Sequence, residues 1–596
     1  MVVRPHAPPP RRSTRRLDAT SCRTRAPIAS SAGLGSSHVP MAVLIAGETE
    51  MTELSLAVGF TSVSGGSDER AMVLTAFMAF IVLSLLLCIL AGPEGDTTAD
   101  FYTGNRSLTP VQNALALTGD YISAATLLGV SGLVAVAGYD GISLAVSSCL
   151  AVGVFLLLAG PLRNAGRYTL GDILALRSPG SSSRIAAATA TLAVCVPFLV
   201  LQLAGAGSAT ALLLGLTSLG AEQVCTAFVG VLMIGYTVLG GMRGTSLVQI
   251  VKVAVVFTTM VLLALLVLRH HDFDLGALLT AAEQGSGLHG RYFEPGQALS
   301  DGAAGRLDFL SLQLSVVLGG ACMPHVLMRI NSATDSATAR RATRYAIAIM
   351  TAFFLCVVIA GLGAAGVVGG QKIRALDSSG QMALLLLAGE LEAGTSGLAG
   401  NVLYTAVACS VFVTVLAVVA GIALSAAAAL AHDLHAHAAR RGRMSERREV
   451  RSARWAVGAV GGLCIFVAVM AQGRNFQSLT HLALTLAAST VLPACLYGLF
   501  WSKYNRTGLL WTVYGGVLCT TALYVCSLSF SGTPTSLLPG QDFHLVGLQS
   551  TAVMAIPAGF LLGWMGSAAG QRAQPMEGAG TDLRWRERVL VGAREE

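Results

Sequence analysis

Asp120 stands in the middle of a membrane-length apolar segment, 111–138, directly after Thr118-Gly119 and before Tyr121. A carboxylate at mid-bilayer costs roughly 2.5–3.5 kcal/mol on insertion scales, so it is expected to line a cavity or an ion path. Gly119 weakens the helical ladder beside it, and a half-helix with open backbone carbonyls is how transporters bind cations inside a membrane. Other polar groups lie in apolar surroundings: Ser123 and Thr126 follow at one-turn spacing, Gln202 sits within the apolar stretch 198–206, and His325 follows Pro324. Buried amides and hydroxyls must find partners. Gln202 therefore reads as a site group. Ser123 and Thr126 are equally explained by bonding back to the preceding turn, and His325 by the interfacial end of its helix.

These residues need a membrane scaffold, and the composition supplies one. Of 596 residues 54% are hydrophobic and 12% charged, and the mean hydropathy is +0.66, which together describe a polytopic membrane protein. Windows of about 20 apolar residues predict thirteen spans, near 71–92, 111–137, 141–160, 185–213, 222–240, 247–268, 309–328, 343–368, 398–430, 454–471, 478–500, 508–530 and 548–567. The long fourth and ninth must tilt, break or extend beyond the bilayer. Connections after odd-numbered spans hold nineteen Lys and Arg, against six after even-numbered spans. That bias puts the odd connections in the cytoplasm, the N-terminus outside and the C-terminus inside.

The expected organisation is a disordered basic extension over 1–65, a transmembrane domain over 66–568 and a cytoplasmic tail over 569–596. The extension is rich in Pro, Ser and Arg and carries seven arginines in its first 50 residues, on the side expected to be outside. A true start at Met41 or Met51 fits the topology better. Most of the net charge of +7 comes from this arm, so it implies no nucleic-acid partner.

Catalytic and cofactor chemistry find no footing. Eleven cysteines fall in or beside apolar spans with no metal-binding spacing, and no nucleophile elbow, zinc-protease or phosphate-loop motif occurs. His432, His435 and His437 lie beside a run of arginines and read as a solvated cytoplasmic loop rather than a metal site. The connection 167–172 reads as a structural or gating element, and the acidic stretch 269–308 as a short outer cap.

A second interruption lies five spans after the first, where Gly319-Gly320 and Pro324 break the seventh span. Interrupted helices at corresponding positions of two halves point to an inverted-repeat secondary transporter. Phe101-Tyr102-Thr103-Gly104-Asn105-Arg106, Gly119-Asp120-Tyr121-Ile122-Ser123 and Gly138-Tyr139-Asp140-Gly141, with Tyr236 to Met242, Met323-Pro324-His325 to Arg329 and Leu416 to Gly421, resemble the sodium:solute symporter family, in its cation/acetate branch. The resemblance implies an all-α protein of thirteen transmembrane helices with a five-plus-five inverted-repeat (LeuT-like) core.

It also implies a cation site between spans two and nine: the carbonyls of Gly119 and Ile122, with Ala417 and Val418 at the family's usual hydroxyl positions. Neither Ala417 nor Val418 has a side-chain oxygen. A sodium cage of hard oxygen ligands would need Ser410, Thr414, Asp120 or water to complete it. A proton needs only a titratable group, and Asp120 is the evident one. Candidate substrate groups are Tyr121, Ser123, Thr126, Gln202 and His325. The expected function is uptake of acetate and related short monocarboxylates with Na⁺ or H⁺ across the cell membrane, by alternating access and without a cofactor. The alternatives are a family member for a different small solute, a sensor on the same scaffold, or a membrane subunit of a cation-pumping respiratory complex. The last class uses several intramembrane acids and lysines in relay, whereas Lys252 and Asp120 stand nearly alone here.

Overall fold

The computed structural model describes residues 67–573, except 91, 93–94, 96, 124, 217, 299–301, 378–379, 393–401, 441 and 475–477, together with 585 and 587–592. The basic extension over 1–65 and residues 574–584 of the tail lie outside the described residues. Among the described residues all regular structure is helical, apart from isolated bridges at Ser527–Val546 and Ser531–Leu538.

Among the described residues ten helices are long and apolar enough to cross a membrane, and the bent pair Pro110–Tyr121 and Thr126–Ala137, taken as one span, makes eleven. The difference from thirteen lies in two places. Leu219–His270 counts once, and the first helix, Ser67–Leu90, which covers most of the span expected at 71–92, is not among the ten. As one straight helix, the 52 residues of Leu219–His270 would reach about 78 Å, more than twice a hydrocarbon core of about 30 Å. Its backbone leaves the helical region at Gly241, at φ 52° and ψ −153°. Only glycine adopts that conformation readily, and it separates the two spans expected at 222–240 and 247–268.

The two interruptions have local causes. Thr109 caps the Pro110–Tyr121 helix in a reciprocal box with Gln112, and Pro110 sits in its first turn. The helix ends where Ile122 turns extended, at φ −74° and ψ 98°, and the chain restarts bent by 69°. In the seventh span the helical run Gly302–Gly319 ends at the glycine pair, and Pro324 opens a new helix, Pro324–Ile330. The Val402–Ala428 helix packs between Leu219–His270 and Ser181–Leu213. Its exposure to bulk solvent is almost nil, as its apolar sequence on every face requires.

The 269–308 connection is fixed to the end of the first broken span. The Tyr292 hydroxyl donates to the Val134 carbonyl at 2.6 Å, and Asp140 accepts from the Gly296 and Ala298 amides at 2.7 and 2.8 Å. Gly138, at φ +46°, lets the chains meet, since a Cβ there would lie 2.2 Å from the Tyr292 carbonyl oxygen.

Candidate functional site

The two interruptions touch. The Tyr121 hydroxyl donates to the Gly320 carbonyl at 2.9 Å, joining the break of the second span to that of the seventh. Ser123 and Thr126 cap the restart reciprocally: the Ser123 amide donates to Thr126 Oγ1 at 2.7 Å and the Thr126 amide to Ser123 Oγ at 3.3 Å. Both hydroxyls therefore serve the broken backbone, although both also line the cavity above it.

That cavity holds about 800 Å³. Its deep end is formed by Asp120, Tyr121, Ser123, Thr126, Phe198 and His325, and its mouth by Leu288, Gln297, Arg374 and Gln549 from the even-numbered connections. The His325 ring stacks on Phe198 with centroids 6.0 Å apart, and its Nδ1 is buried without a hydrogen-bond partner among the described residues. Gln202 is buried on Ser181–Leu213 but does not line this cavity.

Behind the deep end runs a polar stripe on Leu219–His270. Ser246, Gln249 and Lys252 recur at three-residue steps, which places them on one helix face, and each meets a different part of the site. The Gln249 amide donates to Asp120 Oδ1 at 2.8 Å and to the Ala417 carbonyl at 2.9 Å. The Lys252 ammonium donates to the Gly119 carbonyl and, at 2.8 Å, to the Ile122 carbonyl. The backbone oxygens assigned to a cation by resemblance thus already bind an ammonium of the chain itself. Ser410 and Thr414 are fully buried two turns and one turn earlier on the helix of Ala417 and Val418; the Thr414 hydroxyl donates to the Ser410 carbonyl at 2.6 Å.

Asp120 is held by a cation of its own. Arg329 grips it as a fork, Nε to Oδ2 at 2.7 Å and Nη2 to Oδ1 at 3.0 Å, with Nη1 bonded to Ser246 Oγ. Forked pairs of this kind are among the stronger hydrogen bonds in proteins. Asp120, the candidate coupling carboxylate, spends its oxygens here on Arg329 and Gln249. Close helix approach makes these contacts reachable: a Cβ at Gly119 would lie 2.7 Å from Gln249 Oε1 and 2.8 Å from its Cβ. Gly119→Ala is therefore expected to push the stripe away, lowering stability by about 1–3 kcal/mol and abolishing transport. Thermal unfolding in detergent and uptake by proteoliposomes would measure both; wild-type values in both would refute the close-packing account.

At the basic end of the bundle a second network forms. His432 Nδ1 lies 2.6 Å from Glu449 Oε1 and its Nε2 3.1 Å from Asp172 Oδ1. With a carboxylate at each nitrogen, both nitrogens donate and the ring is an imidazolium. Arg184 bridges Asp172 and Asp433 at 3.0 Å each, and Thr169 donates to Asp433 at 2.8 Å. Burial opposes the Asp172 charge, but the His432 hydrogen bond and charge, with Arg184, hold its carboxyl well below the usual range. His432 is thus a buried tie rather than part of a solvated loop; His435 is exposed. Asp172, His432 and Asp433 lie close enough to suggest a metal site, yet the Arg184 guanidinium already fills the place between the two aspartates.

Sequence reasoning missed the roles of Arg329, Gln249, Ser246, Asp172 and Glu449. Arg329 counts as one more positive-inside residue, and only the spacing of Ser246, Gln249 and Lys252 within an apolar span signals the stripe.

Residues 101–516 match the description "Sodium:solute symporter family". The chain is 34% identical over 521 residues to the monocarboxylic acid transporter of Corynebacterium glutamicum, covering 86% of this chain and 93% of the relative. It is 36% identical over 501 residues to an uncharacterized symporter of Bacillus subtilis, covering 83% and 94%. Among solved structures, a Na⁺-coupled sialic acid symporter in a substrate-bound outward-open state superposes with a TM-score of 0.63 at 12% identity, covering 85% of this chain and 98% of the other. That likeness is one of fold. The match over most of the chain, with two broken helices meeting beneath a cavity, makes this protein a member of the sodium:solute symporter family and a transporter of a small solute rather than an enzyme.

Proposed function

We propose that this chain takes up acetate and related short monocarboxylates together with a cation, by alternating access across the cytoplasmic membrane. The observation that carries the reading is the 34% identity over 93% of the length of a monocarboxylic acid transporter. The cavity supports it. Its mouth holds Arg374, which attracts an anion, and its deep end offers the unpartnered His325 nitrogen among small and apolar neighbours. A carboxylate fits the donor capacity of that nitrogen. The mouth lies on the side poor in Lys and Arg, so it faces outside, and the His432 network faces the cytoplasm.

Counterflow of labelled pyruvate in proteoliposomes tests the reading, with protein-free liposomes as control because acetic acid leaks through bilayers in its neutral form. Exchange should saturate and be competed by acetate and propionate but not by acetamide, the uncharged isostere. Absence of exchange with all three acids would overturn the reading.

His325→Phe preserves the stack on Phe198 and removes the nitrogen. A hydrogen bond to a charged group contributes roughly 1.5–3 kcal/mol, so the variant should raise KM for exchange by about ten- to a hundredfold. An unchanged KM would remove His325 from the site.

A further inference from the structure

We infer that Lys252 is a tethered cation seated where the family resemblance places a coupling sodium ion, so that this chain has no sodium site between its second and ninth spans. The inference rests on the symport reading above and deepens it by naming what fills the site. Lys252 is fully enclosed, and its ammonium joins the Gly119 and Ile122 carbonyls, two of the oxygens at the break of the second span. A third carbonyl, that of Ala417, receives the Gln249 amide at 2.9 Å. Both positions that would supply hydroxyls, Ala417 and Val418, are apolar. Every backbone oxygen of the expected cage therefore faces a donor of the chain.

Charge points the same way. The charged groups acting on Lys252 are Asp120 on the broken span and Arg329 on Pro324–Ile330, while the Val402–Ala428 helix presents Ala417, Val418 and Gly421 to the region. Arg329 and Gln249 take up the Asp120 oxygens, so that carboxylate offers an incoming cation no unpaired charge. A sodium ion would have to displace Lys252 from the Gly119 and Ile122 carbonyls. The same turn carries Tyr121 and Ser123 on the cavity wall.

Melting temperature of the purified protein in detergent, titrated with NaCl against choline chloride, tests this without any substrate. Wild type should show no sodium-specific shift. Lys252→Met combined with Ala417→Ser and Val418→Thr, which empties the seat and restores hydroxyls, should gain a shift that saturates with sodium. A saturable sodium-specific shift in wild type overturns the inference, and does so whether or not the triple variant folds. A sodium-silent triple variant that folds also overturns it, because removing the ammonium would then have opened nothing. Lys252→Arg retains a cation and should stay sodium-silent; a sodium response from it counts against the inference. Since the readout uses no carboxylate, failure of the pyruvate exchange assay leaves this result independent.

Discussion

Arg329→Met lowers the stability of the folded protein by about 3–5 kcal/mol, the cost of leaving a buried charge without its partner. Asp120, buried at the deep end of the cavity, would keep the Gln249 amide at 2.8 Å as its described side-chain partner. Asp120→Asn should be milder, because an amide oxygen still accepts from the guanidinium. The double variant Asp120→Asn with Arg329→Met should be less destabilised than the sum of the two, since neither charge remains to be buried. Denaturant titration in detergent gives all three values. Additive losses would show that fork and carboxylate do not act as a unit, and a stable Arg329→Met would show that water reaches Asp120 from the cavity.

His432→Leu has a comparable expected effect at the other end of the bundle. It leaves Asp172, Asp433 and Glu449 with Arg184 as the cation bridging the two aspartates. Removing the partner of buried charges again costs about 3–5 kcal/mol, and here the strain falls on the seam between the Leu170–Arg177 helix and the helix carrying Glu449. Loosening it should favour the state open at the basic end. An impermeant maleimide should therefore label Leu170→Cys faster in the His432→Leu background. Equal rates would mean that the network stabilises the fold without closing a passage.

The two backbone breaks were legible in the sequence because glycine and proline act locally. Gly119 lies in the last turn of the helix that ends before Ile122, the Gly319-Gly320 pair and Pro324 flank the second break, and the Tyr121–Gly320 contact brings the two interruptions together. What holds the breaks was not legible. Arg329 lies 209 residues from Asp120, and helical spacing shows which residues share a face without showing what that face meets. Ser246, Gln249 and Lys252 could be read as a stripe, but not as the stripe opposite Gly119. The arginines around His432 resemble a solvated loop, and its burial depends on Asp172, supplied from 260 residues away. Gln202 shows the opposite limit: an amide in an apolar span is conspicuous in sequence, yet it lies off the cavity.

The reach of Lys252 to the Ile122 carbonyl, 2.8 Å from a covalently attached ammonium, has a consequence for the surroundings in which such a carrier works. A diffusible ion fills its seat in proportion to its concentration in the medium, while a tethered group has an effective local concentration set only by its linker. The seat between the second and ninth spans is then filled equally in fresh water and in brine. Salinity would then not act through the filling of that seat.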